Sequence, residues 1–202
     1  MDINTHLLFT VDGSPHMTCI SCIDSRRSNY SIWCHKQRAC WHKDILPKLI
    51  QPYMAWVCQC ATSSGTPPIP IPDAVNIPCS CQNPHTVLNV TCVYMDRLKE
   101  IKVQHCLKCP TAIQLLKLGL FPCVPVQCGL AVSLVMLEWV CMLFLHMVLN
   151  IQAWADTVEI MLKHQGYSFR KSHSFCHHFN NVLVHYQMLI RLVEAEMTQC
   201  RH

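Results

Sequence analysis

Cysteine comes in close pairs along this chain: Cys58-Gln-Cys60, Cys79-Ser-Cys81 and Cys106-Leu-Lys-Cys109. In all there are 16 cysteines among 202 residues. That is a density at which cross-links or metal ions usually take over part of the work of a core. The N-terminus, MDINTHLLFTVDGS, has neither the basic start nor the sustained apolar stretch of a secretory signal. A nuclear or cytoplasmic protein is therefore expected, not a secreted one, with its cysteines kept as thiols and metal ligands.

Zinc takes four ligands in a tetrahedron, and thiolates are common at structural sites. In an extended strand residues i and i+2 project to the same face, so a Cys-x-Cys doublet can offer both sulfurs to one ion. HTVLNVTCVYM and IKVQHC are rich in β-formers and joined by a short polar turn, 96–100, which predicts a hairpin. Cys79 and Cys81 precede it; Cys106 and Cys109 close it. Folding the hairpin would bring the two pairs together, as in a zinc ribbon. Cys58 and Cys60 could replace one pair or serve a second site. The competing reading is ordinary buried thiols, because free cysteine packs as a small hydrophobe; it is preferred for Cys92 and Cys141.

Around that centre the chain divides into three parts. Residues 1–41 are polar, basic and irregular. There Arg26, Arg27, Lys36 and Arg38 are interleaved with Tyr30, Trp33 and Trp41. Such a mixture can hold phosphates and stack bases, and it also reads as solvated surface. The net charge of +4 permits an acidic partner such as DNA without arguing for one. Residues 42–165 hold the cysteine pairs. Within them ILPKLIQPYMAWV repeats apolar residues at helical spacing (Leu46, Leu49, Ile50, Tyr53, Val57), with Pro47 suited to a first turn and Pro52 expected to kink or interrupt. A proline-stiffened linker, ATSSGTPPIPIPDAVNIP, follows. TAIQLLKL predicts a short helix stopped at Gly119. IQAWADTVEIMLKHQG predicts another, capped by Asn150, ended by Gly166 and buried along Ile151, Trp154, Ala155, Val158, Met161 and Leu162. Residues 166–202 place Phe175, Phe179, Val182, Tyr186, Leu189 and Val193 on one side of a last amphipathic helix. The expected fold is α+β: a small zinc-ribbon-like hairpin with the cysteine cluster, then a mostly helical C-terminal half. No phosphate loop, HExxH or nucleophile elbow is present, so no enzyme is expected.

From about Trp41 to Glu194 the chain resembles the fungal CxC-type cysteine cluster associated with KDZ (Kyakuja-Dileera-Zisupton) transposases. The resemblance is carried by AIQLLKLGLFPCVPVQCGLAVSLVMLEWVCMLFLHM, AWADTVEIML, GYSF and FNNVLVHY. It implies a zinc-chelating, DNA-binding or assembly module N-terminal to a DDE-type transposase domain, which would lie beyond His202. Cys79, Cys81 and Cys106 fall on the family's cluster. Cys109 departs from it, because the family closes with Cys-x-Cys, which would put a cysteine where Lys108 stands.

The same resemblance bears on FCHHFNN, 175–181, which invites a metal reading. Relatives run close to L-R-R-R-F-G-N-A-L there. Arginine codons of the CGN type yield cysteine or histidine by single C-to-T transitions on either strand, and the resemblance implies a decayed transposon copy. Three consecutive helical residues diverge by about 100° each and cannot share one ion. Only His173 and His177 have helical metal-binding spacing.

Two alternatives remain. Residues 130–149, LAVSLVMLEWVCMLFLHMVL, carry a single charge, Glu138, and are long enough to span a bilayer, which would make this a single-span membrane protein. A metal-free protein-interaction module would instead bind through the apolar face of the last helix.

Overall fold

The structure, a computed structural model, describes residues 31–62, 74–75, 86–105, 110–148, 150–169 and 175–199. They fall into two compact units, Met1–Arg38 and Ala39–His202. In the first, residues 31–38 are helical.

A π-helical turn, Trp41–Ile45, leads into helix α1, Leu46–Thr62. Proline inside a helix removes one N–H and crowds the carbonyl four residues earlier. Pro47 meets that problem directly after the π-turn, where the wider winding lets the Leu46 N–H donate to Trp41 O, five residues back. Pro52 was expected to break the helix, yet α1 continues through it. Leu46, Leu49, Tyr53 and Trp56 are buried beneath it, and that burial outweighs one missing hydrogen bond. The inward stripe uses Trp56, while Val57 is exposed.

Strand β1, Ala74–Val75, lies in the stretch read as a linker and adds a two-residue edge to a mixed four-stranded sheet. The predicted hairpin is present as β2, Thr86–Val93, and β3, Leu98–His105. Its turn is tighter than the sequence suggested: the Tyr94 N–H donates to Arg97 O at 3.0 Å, and the Arg97 guanidinium lies over the Tyr94 ring at 4.9 Å. Helix α2, Thr111–Lys117, ends at Gly119, which takes φ +73°. Two strands follow that were not expected, β4, Leu120–Pro122, and β5, Leu130–Ser133. The spatial order is β1-β3-β2-β5-β4. Pro122 is tolerated because β4 is an edge.

The apolar run 130–149 is thus not one segment. Its first four residues form β5, parallel to β2 and antiparallel to β4, with Leu130 and Val132 facing one core cluster and Ala131 the other. Residues 134–146 form helix α3, Leu134–His146, of 13 residues, and Met147 leaves it in an extended conformation. At 1.5 Å per residue the helix is about 20 Å, against a hydrocarbon layer of about 30 Å. No helix among the described residues is long and apolar enough to cross a membrane.

Helix α4, Ile151–His164, begins where Asn150 Oδ1 accepts the Ala153 N–H at 3.2 Å, and Gly166 at φ +89° follows it. Of its expected stripe Ala155, Val158 and Leu162 are buried, Ile151 and Trp154 are partly buried, and Met161 is exposed. Helix α5, Phe175–Gln199, packs on α1 and α4 and belongs to the same unit as the sheet. Phe175, Phe179, Val182, Tyr186, Leu189 and Val193 are all buried. The face that would have bound a partner in the interaction-module alternative is occupied within the chain. The architecture is α+β, with three helices after the sheet.

Candidate functional site

The register of the sheet fixes where the cysteine-bearing segments attach. Val75, the end of β1, pairs with Val103, and Thr86, the start of β2, pairs with His105. The intervening residues 76–85, which carry Cys79 and Cys81, are therefore tethered at both ends to the last turn of one strand. Cys106 follows His105 directly, with Cys109 three residues on. Cys79, Cys81, Cys106 and Cys109 themselves lie outside the described residues. His105, at the rim of this end, is partly buried, and its Nδ1 is 2.9 Å from the Thr111 hydroxyl at the start of α2.

Cys58 and Cys60 are exposed and lie on α1. Residues i and i+2 of a helix are about 200° apart, so the pair cannot present both sulfurs to one ion as a strand doublet would. Among the described residues, no three of His, Cys, Asp and Glu gather where they could hold a metal ion.

The basic residues are also divided. Arg26 and Arg27 lie outside the described residues; Lys36 and Arg38 are exposed on the helical stretch of the first unit. Trp41, one of the aromatics interleaved with them, is instead a core residue, 2% exposed. It stacks on Phe121 at 5.6 Å and on His185 at 4.6 Å.

FCHHFNN is split by its helix. Phe175, Cys176 and Phe179 face inward, His177 is exposed and His178 half-buried; His173 lies outside the described residues. Cys176 is close to Gln152, Asp156 and Glu159 of α4, and burial followed by these carboxylates pushes its thiol up. A cavity of about 400 Å³ opens beside it, lined by Asn150, Gln152, His177, Asn180 and Asn181 among others.

Two features lie outside the predicted site. The first is a group of buried thiols: Cys92 packs as the sequence implied, and Cys123 and Cys128, which no sequence signal singled out, join it. Cys92, Cys123 and Cys128 are 0%, 5% and 1% exposed and close enough to affect one another's ionisation. Burial lifts Cys92 to about 12, Cys123 well above the ordinary thiol range and Cys128 to about 11. The Cys128 thiol donates to Leu130 O at 2.8 Å. Thiols held protonated are poor nucleophiles and poor ligands, and these pack as small apolar groups. Half-buried Cys141 sits against the same core as α3.

The second is a polar seam where α1, α3 and α5 meet. The Tyr53 and Tyr186 hydroxyls are 3.2 Å apart, and the Tyr53 hydroxyl donates to Glu138 Oε1 at 3.5 Å. Desolvation raises the Glu138 carboxyl, which the two tyrosine hydrogen bonds partly offset. Burial also lifts Tyr53 to about 12 and Tyr186 higher. Burial in the seam disfavours the ionised form of all three groups, and their hydrogen bonds orient three helices. A lone acid in an apolar run was its only trace in the sequence.

Compared with known proteins, the chain matches no family model, no curated protein and no solved structure.

Proposed function

We propose that this chain is a non-catalytic, zinc-holding cysteine-cluster module of the KDZ transposase-associated CxC type, with Cys79, Cys81, Cys106 and Cys109 as ligands. Its ancestral task is to help a transposase domain bind DNA or assemble, and the cysteine and two histidines of 176–178 mark a decayed copy. The observation that supports the metal reading is the shared tether: residues 76–85 are anchored on Val103 and His105, and Cys106 leaves the same strand end. Both cysteine pairs therefore belong to segments that attach at one end of the β2–β3 hairpin. Four thiolates arranged this way suit a structural zinc site. Cys58 and Cys60, splayed on a helix, fall to second rank as ligands.

Metal analysis of the purified full chain tests the reading. One zinc per chain should co-purify, Cys79→Ser and Cys106→Ser should each lose it, and Cys58→Ser should keep it. Absence of stoichiometric zinc in protein purified without chelators would overturn the proposal.

A further inference from the structure

Helix α3 is apolar on both sides. Its inner side, Leu134, Met136, Leu137 and Val140, is buried in the core. Its outer side exposes Val135 (54%), Trp139 (47%), Met142 (56%) and Leu145 (74%), and the chain continues into exposed Met147 and Val148. Val135, Trp139 and Met142 follow the alternating four-and-three spacing of a helix-pairing seam. A helix that is apolar all round has both sides buried in its working state. Among the described residues only one side is covered.

We propose that the outer side of α3 binds the same side of a second copy of this chain, antiparallel, about a two-fold axis near Met142. Three observations select a second copy as the occupant. The six side chains expose roughly 700 Å², more than the largest apolar patch of an ordinary monomer and close to the ~800 Å² that each partner gives to a standard interface. None of the six exposed residues is Asp, Glu, Lys or Arg, and half-buried Glu138, one turn before Met142, is engaged by the Tyr53 hydroxyl, so the seam offers little handle to a charged partner. It also carries both a knob and a hole. Trp139 projects from mid-helix, and a cavity of about 430 Å³ formed by Phe144, Leu145, His146, Met147 and Val148 opens at the helix end. Trp139 and Leu145 lie three residues either side of Met142, so the two-fold sets each Trp139 against the partner's cavity, twice, as an isologous contact requires. A bilayer surface fits less well, because a helix lying on lipid presents a basic face opposite its apolar one, and that side of α3 is core.

Sedimentation velocity of the full chain across about 1 to 100 μM tests this, in a range where a micromolar Kd is resolved. The intact chain should show a reversible monomer–dimer equilibrium. Trp139→Lys and Leu145→Glu should each raise the dissociation constant by at least about 30-fold, as loss of a central anchor does. An equimolar mixture of the two should recover the dimer, since the antiparallel register sets the new lysine against the new glutamate and leaves the other Trp139–Leu145 contact intact. Recovery would exclude misfolding as the cause of dissociation. A monomer at every concentration, open-ended growth, co-sedimentation with phosphatidylcholine vesicles in place of dimerisation, or failure of the mixture to recover would each overturn the proposal.

Discussion

Gly119 and Gly166 both take positive φ, +73° and +89°, and both follow a helix, yet their surroundings differ. A Cβ on Gly119 would lie 2.9 Å from Nε1 of the buried Trp56 indole; on Gly166 it would meet nothing within 4 Å. Gly166→Ala therefore carries only the left-handed backbone cost, about 1–2 kcal/mol. Gly119→Ala adds displacement of a buried aromatic ring of α1, which packs on α2, and should cost about 2–4 kcal/mol in all. Urea midpoints of the two variants check the order, and equal losses would show that the Trp56 contact is immaterial. Both glycines were recognisable as helix stops, because they directly followed apolar helical repeats. The identity of the ring above Gly119 was not recognisable, since Trp56 is 63 positions away in the chain.

At the scale of elements, helices with one polar and one apolar side were the most legible. Asn150 and Gly166 bracket α4, and the α5 stripe is buried as its spacing implied. The short strands were not. β4 is three residues ending in proline, and β5 opens an apolar run that reads equally well as helix. Only pairing with β2 and with each other stabilises them. The polar seam between α1, α3 and α5 follows the same logic and makes a pH prediction. Burial raises the Glu138 carboxyl above its usual 4.5, so the folded state disfavours the ionised form more than the unfolded chain does. Nothing is lost at pH values where both states are protonated. Stability then falls as pH rises from about the ordinary carboxylate value through the raised one, and the full penalty stands at neutral pH. Glu138→Gln should stabilise the protein at pH 7 by less than about 1 kcal/mol, because the carboxyl is only half-buried, and the gain should shrink towards pH 4. Unfolding curves at the two pH values decide; a gain of equal size at both would remove the carboxyl's charge as the cause.

For the whole molecule, the main core does not depend on the paired cysteines. Trp41 stacks on Phe121, which meets Tyr186 edge to face, and Phe175, Phe179 and Trp154 continue the aromatic packing towards α4. The proposed zinc site hangs on the opposite margin of the sheet, at the ends of β1, β2 and β3. Removing metal with a chelator should therefore speed amide exchange in the outer halves of β2 and β3 and leave α1 and α5 protected. Equal loss of protection in α5 would mean that the metal holds the entire fold.

By itself the sequence determined the amphipathic helices, their glycine and asparagine boundaries, the β2–β3 hairpin and the absence of a known catalytic motif, because each rests on periodicity or on one residue's backbone preference. It also singled out the paired cysteines on which the zinc proposal rests. Tertiary structure decided what local pattern leaves degenerate. It cut residues 130–149 into a strand and a short helix, placed Trp41 in the core, splayed Cys58 from Cys60 and brought Glu138 to two tyrosines. Each outcome depends on a partner far along the chain, and an apolar residue's local sequence does not encode which surface will cover it.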